Sequence, residues 1–234
     1  MVLDLSAETT LRLPVRRIRI VLLLLVLALL VLDEAVLAAR FFLGHGRLGG
    51  MYALFDLDVE TSVSTFVQSS LLLVAAVLLW LFGRVQAGIR TVAWILAAAT
   101  LWVAADEASQ IHELLIVPLD RLFGTGGVFR YGWVIPGLAV AVAVVVLTIR
   151  LLRVLDRDVA LLLALGGGLY LLGVLGVEMA GGAWLDGGGS ETVYRMVFTS
   201  IEETLEGAGI VVAVAALLEA VRRGSPHVLV DLTP

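Results

Sequence analysis

Apolar runs about as long as a bilayer is thick alternate along this chain with short stretches of Gly, Pro and charge. A helix needs about 20 mainly apolar residues to cross the hydrocarbon core. Six stretches reach that length when polar ends are allowed: 18–39, 62–83, 91–114, 132–152, 158–181 and 194–220. Their links are short and glycine-punctuated, as at Gly44–Gly50, Gly124–Gly127 and Gly181–Gly189. The pattern predicts an all-α polytopic membrane protein with six transmembrane helices over residues 16–223. A leader over 1–15 and a tail over 224–234 flank it, and no soluble domain fits anywhere. Arg16, Arg17 and Arg19 before the first run resemble the start of a signal peptide. Asp4, Glu8 and Asp33-Glu34 break that pattern, so the first run reads as an uncleaved span.

Composition agrees with this reading. Of 234 residues 60% are hydrophobic, and the mean hydropathy is +1.03, whereas a soluble domain is roughly half apolar. There is no cysteine, which excludes disulfides and thiolate metal sites. All 16 basic residues are arginine, a usage that points to a GC-rich bacterial genome and so to a bacterial inner membrane. Nothing forms a basic nucleic-acid patch, so the bilayer is the expected partner and nucleic acid is not.

Arginine placement sets orientation, because cytoplasmic loops carry the excess of basic residues. Arg12, Arg16, Arg17, Arg19, Arg84, Arg90, Arg150, Arg153, Arg157, Arg222 and Arg223 fall on one side of the six spans. Arg40, Arg47, Arg121, Arg130 and Arg195 fall on the other. Both termini are therefore expected in the cytoplasm, with the glycine-rich loops outside. A short motif recurs at Asp33-Glu34-Ala35, Asp106-Glu107-Ala108 and Glu178-Met179-Ala180, each followed by a glycine-rich loop. It suggests three repeated helical hairpins, a common device of membrane proteins.

Charge inside the spans is the chemical signal, since such side chains are costly there and mark function by default. At about 1.5 Å per residue from the nearest cytoplasmic arginine, Asp33, Asp106, Glu178, Glu202 and Glu206 lie roughly 21–31 Å deep. Four of the six spans thus place carboxylates in the outer half of the bilayer. If the third span is one helix through residue 114, Asp106, Ser109 and Glu113 share a face. His112 then lies at its edge, and Glu107 points elsewhere. In the sixth span Arg195, Thr199, Glu202, Glu206 and Gly209 share a face, with Glu203 beside it. Glu202 and Glu206 are like charges one turn apart, a pairing that favours a cation or proton between them. Gly207 and Gly209 would let a neighbouring helix approach, and Gly166-Gly167-Gly168 reads the same way. The second span begins with Asp56, Asp58 and Glu60, and its Thr65 and Gln68 could line the same cavity.

Several carboxylates with one imidazole suit a divalent metal such as iron, manganese or zinc. The expected ligands are Asp106, His112, Glu113, Glu202 and Glu206, with Glu178 a further one; Glu107 and Glu203 would serve as general base or support the ligands. The helical-bundle dinuclear pattern Glu-x-x-His is absent, because Ser109 stands three residues before His112. Such a site would support chemistry on a lipid or other lipophilic substrate. Two alternatives stand beside it. The acids could shuttle charge in a proton- or cation-coupled transporter. They could instead dock a partner within a larger complex. Asp33, Glu34, Glu60 and Asp120 are expected to be solvated, or paired with Arg40, Arg121, Arg130 and Arg195. The inner halves of the spans, such as 71–82, 92–104 and 210–218, hold almost nothing ionisable, so no polar path continues inward.

The chain resembles a group of bacterial six-helix membrane proteins. The resemblance rests on Phe55-Asp56-Leu57-Asp58-Val59-Glu60, Asp106-Glu107 with His112-Glu113, and Glu202-Glu203-Thr204-Leu205-Glu206-Gly207. It spans most of the chain and implies a shared fold without an activity. A fainter similarity is to the alkaline-ceramidase and adiponectin-receptor hydrolases. Those have seven spans and a histidine-rich zinc site. One plausible ligand histidine and six spans depart from that pattern, so no residue roles carry over.

Overall fold

A computed structural model describes residues 14–44, 50–57, 59 and 62–224. Residues 1–13 of the leader, 225–234 of the tail, His45 and Glu60 lie outside the described residues, as do Asp58 and Arg47. Six stretches are long and apolar enough to cross a membrane: Val15–Leu43, Val63–Val85, Ala87–Ser109, Val134–Leu152, Arg157–Asp186 and Glu191–Gly224. The described residues are helices and their connections, with no strand. The all-α polytopic reading of the sequence holds.

The helices are α1 (Val15–Leu43), α2 (Met51–Phe55), α3 (Val63–Val85), α4 (Arg90–Ser109), α5 (Ile111–Phe123) and α6 (Val134–Leu152). The fifth span is α7 (Arg157–Leu171) and α8 (Glu178–Asp186), joined without a break by a π-helical stretch, Leu172–Val177. The sixth is α9 (Glu191–Val193), a π-helical stretch Tyr194–Thr199, and α10 (Ser200–Gly224). Ser62 caps α3 by accepting from the Thr65 N–H at 3.3 Å, satisfying one donor that the helix start leaves open.

α10 is the hub: α1, α3 and α7 all pack on it, and α3 also packs along α4. Small residues make the tightest crossing. A Cβ on Gly166 would sit 2.6 Å from the Ala213 N, and one on Gly209 would sit 2.6 Å from the Tyr170 N. The α7 and α10 backbones therefore touch where both sequences offer glycine, as expected for helices in lipid. Gly207 similarly admits Val26 of α1. Toward the arginine-rich end the interior is dry, built from Leu72, Leu79, Phe82, Ala93, Leu96, Val214 and Leu217.

The third span differs from expectation. It was read as one helix through residue 114, but α4 ends at Ser109, and Gln110 adopts φ 55°, ψ 37°. The Asp106 carboxylate holds this corner. Its Oδ1 accepts from the His112 N–H at 2.8 Å, a donor that a continuous helix would have spent internally. α5 then runs on as a separate amphipathic helix, with Leu114, Val117 and Leu122 exposed.

Candidate functional site

The helix break changes how the Asp106–Glu113 stretch works. Asp106 and His112 meet across the corner, not along one helical face: the His112 Nδ1 lies 2.9 Å from the Asp106 Oδ2. A carboxylate on Nδ1 fixes the ring's orientation and tautomer. Glu113 does not share the expected face with Asp106; it is exposed in the first turn of α5. Glu107, the next residue on α4, is partly buried. It lies close enough to Asp106 and His112 to interact with both charges.

The two acidic clusters meet. The His112 ring packs on Trp133 with centroids 5.0 Å apart, and the Trp133 Nε1–H donates to the Glu178 Oε1 at 3.2 Å. The Glu178 and Glu202 carboxyls face each other within hydrogen-bonding reach across the fifth and sixth spans. A hydrogen bond between two carboxyl groups requires a proton on one of them. Glu202 also feels Glu206 and Glu203. Glu202 and Glu206 are both buried. Tyr170 of α7 lies within electrostatic range of Glu206, Glu107, Asp106 and Glu203.

Local sequence explains this placement. Gly173 removes the side chain that would collide with the Glu206 Cγ at 2.7 Å and the Glu202 O at 2.9 Å, so the fifth span can lie against the acidic turn. A π-turn takes one residue more than an α-turn and so rotates its flanks by roughly 100°. One such stretch ends immediately before Glu178, and the other ends three residues before Glu202. Tyrosines close the acidic end: the Tyr131 hydroxyl donates to that of Tyr194 at 3.1 Å. Burial is the main cause that pushes the Tyr131 hydroxyl above its ordinary value.

Arginines near this end are engaged elsewhere. Arg195 was expected to face Glu202, but it reaches the Asp56 Oδ2 at 3.3 Å and the Glu191 Oε1 at 3.7 Å. Arg130 pairs with Asp186 at 3.5 Å. Asp33 departs from expectation too: it is neither solvated nor paired with Arg40, but fully buried. It accepts from the Leu57 N–H at 3.1 Å and from the Ser200 hydroxyl at 3.3 Å, which ties α1 to α10 and to the link before α3. Arg40 instead lies over the Tyr52 ring at 4.2 Å. Asp120 accepts from the Thr125 hydroxyl and the Gly132 N–H and holds the loop before α6.

The metal expectation meets a geometric limit. Among the described residues no three His, Asp or Glu side chains are placed so that they could hold one ion. Asp106, His112, Glu178, Glu202 and Glu206 form a chain of neighbours and not a shell around a point, with Trp133 between His112 and Glu178. Glu203 turns toward α3, where its Oε2 accepts from the Gln68 Nε2 at 2.6 Å. Trp133 and Tyr170 were missed as site residues, because an aromatic residue in an apolar chain reads as packing.

One family model, described as a domain of unknown function (DUF8692), matches residues 18–221. That range takes in all six spans and every acid of the site. The chain belongs to the DUF8692 family. The family thus covers the whole helical bundle, in keeping with the expected six-helix group, and its description assigns no activity. No curated protein matches the chain. No solved structure matches it either.

Proposed function

We propose that this protein is a proton-coupled carrier whose exchange site is the Glu178–Glu202 pair. The observation that carries the reading is this pair of facing carboxyls, set at membrane depth where two neighbouring spans each carry a π-helical stretch. Two carboxyls in contact cannot both stay ionised, so they hold a proton between them. Loss of that proton would leave two like charges in contact and drive the pair apart. π-Helical stretches inside longer helices are frequent at functional sites.

Each residue then has a role. Asp106 orients His112, which takes protons from the water at the acidic end. Trp133 fixes the Glu178 carboxyl by donating to it. Glu107 and Glu206 tune the charge around the pair. The arginine balance places the acidic end outside and both termini in the cytoplasm of a bacterial inner membrane. The dry half of the bundle is the closed inner gate of this state, and the π-stretches are the elements whose shift would open it.

The test is proton uptake into proteoliposomes loaded with a pH-sensitive dye, driven by an imposed membrane potential. Each 100 mV supplies about 2.3 kcal/mol per charge moved. Wild-type protein is expected to admit protons, and Glu178→Gln and Glu202→Gln to stop them. Uptake that persists in the double variant, or none in the wild type with any imposed potential, overturns the proposal.

A further inference from the structure

A second polar feature lies outside that chain of acids. α1 and α3 both pack on α10 but hardly on each other. Between them is a narrow open cleft whose enclosed part, about 10 Å³, has room for one water-sized group. Val26 and Leu29 of α1 and Val67 of α3 line it, and Gln68, Glu203 and Gly207 form its floor. Leu24 and Leu27 of α1 and Phe66 of α3 are exposed on the same two helices, as lipid-facing side chains are.

The floor accepts hydrogen bonds and offers few. An ionised carboxylate only accepts, so the Gln68 amide nitrogen must face Glu203, which sets the amide oxygen on the other side. That Oε1 is buried and has no hydrogen-bond partner, although Gln68 is 3% exposed. It lies beside Gly207, 3.8 Å from where a Cβ would stand. The Thr204 hydroxyl is spent on the Ser200 carbonyl at 2.6 Å. A buried amide oxygen without a donor is costly, and such sites call for a partner.

We propose that this cleft binds a single-chain amphiphile whose head group donates hydrogen bonds, an alkylammonium above all. The ammonium would sit between the Gln68 Oε1 and the Glu203 carboxylate, and its chain would run over Val26, Leu29 and Val67. An ammonium donates three hydrogen bonds and pairs with the carboxylate, which a hydroxyl does more weakly. The enclosed part of the cleft, about 10 Å³, admits a single small head group and nothing larger. Gln68 lies five residues into α3, about 7.5 Å along its axis from Val63. A small head can be drawn to that depth, whereas a phosphate would bring a second anion against Glu203.

The slot is tested without any gradient, so it stands apart from the carrier reading. Full-length protein in phosphatidylcholine nanodiscs is titrated with radiolabelled dodecylamine, with dodecanol, dodecanoate and phosphatidylethanolamine as competitors. Saturable one-to-one binding of dodecylamine is expected, with weaker competition by dodecanol and none by dodecanoate or phosphatidylethanolamine. Glu203→Gln should weaken dodecylamine by about tenfold or more while leaving dodecanol nearly unchanged. Val67→Trp fills the mouth of the cleft from a partly exposed position, and should block both. Unsaturable binding, equal competition by dodecanoate, or insensitivity to Val67→Trp overturns the slot. Equal competition by phosphatidylethanolamine overturns the single-chain assignment.

Discussion

If the α7–α10 crossing depends on bare backbone, one methyl group should separate two glycines that sit two residues apart in the same helix. A Cβ at position 166 would stand 2.6 Å from the Ala213 N and 2.8 Å from the Gly209 O. Comfortable contact begins near 3.5 Å, so the helices must part locally by about 0.8 Å. Overpacking of this kind costs about 1–3 kcal/mol. A Cβ at position 168 would meet nothing within 4 Å. Both substitutions gain the same helix propensity, about 1 kcal/mol. Gly166→Ala should therefore be less stable than Gly168→Ala by about 1–3 kcal/mol, although both make the same chemical change. Equilibrium unfolding in mixed micelles, titrated with a denaturing detergent, measures the difference. Adding Gly209→Ala to Gly166→Ala should cost less than the sum of the two, because both methyls open the same gap. Equal stability of the 166 and 168 variants, or strict additivity at 166 and 209, would refute the close crossing.

Other consequences follow from single contacts. Asp33→Leu removes the acceptor for the buried Leu57 N–H and Ser200 hydroxyl; a loss of about 1–3 kcal/mol is expected in the same unfolding assay. Arg195→Leu takes away a cation 3.3 Å from the buried Asp56, and should cost about 3–5 kcal/mol or abolish expression in the membrane. Gln110→Gly should stabilise the helix corner, because φ of 55° suits glycine, whereas Gln110→Val should destabilise it; protease cleavage within 105–115 reports both. Tyr131→Phe removes the hydroxyl that donates to Tyr194, and a loss of about 0.5–1.5 kcal/mol is expected.

Much of the bundle was legible in the pattern of apolar runs, because lipid demands helices of a set length and leaves few alternatives. The contact between the third, fifth and sixth spans was partly legible too, since Asp106, Glu178 and Glu202 share a depth. Angular placement was not. Gln110 is a good helix former, and what stops the helix is an aspartate four residues earlier that captures the next free N–H. Nothing in Tyr194–Thr199 marks a π-turn, and Leu172–Val177 shows only its glycines. Helical phase counted through those stretches put Arg195 beside Glu202, and the extra residue sends it to Asp56 instead. Asp33 was misplaced for another reason: its partners, Leu57 and Ser200, are 24 and 167 residues away, beyond any local pattern.

The position of α10 has a consequence for how this chain is made. The helix that α1, α3 and α7 pack against leaves the ribosome after all three of them. The first span must wait in the bilayer through the synthesis of four others before its Asp33 can find Ser200. During that interval a carboxyl group sits in an apolar helix without the hydroxyl donor it will later have. Assembly of the bundle is therefore gated by the insertion of α10. A ribosome stalled after the fifth span would leave the α3–α4 pair formed and the acidic end open, the form that a membrane quality-control protease would be placed to remove.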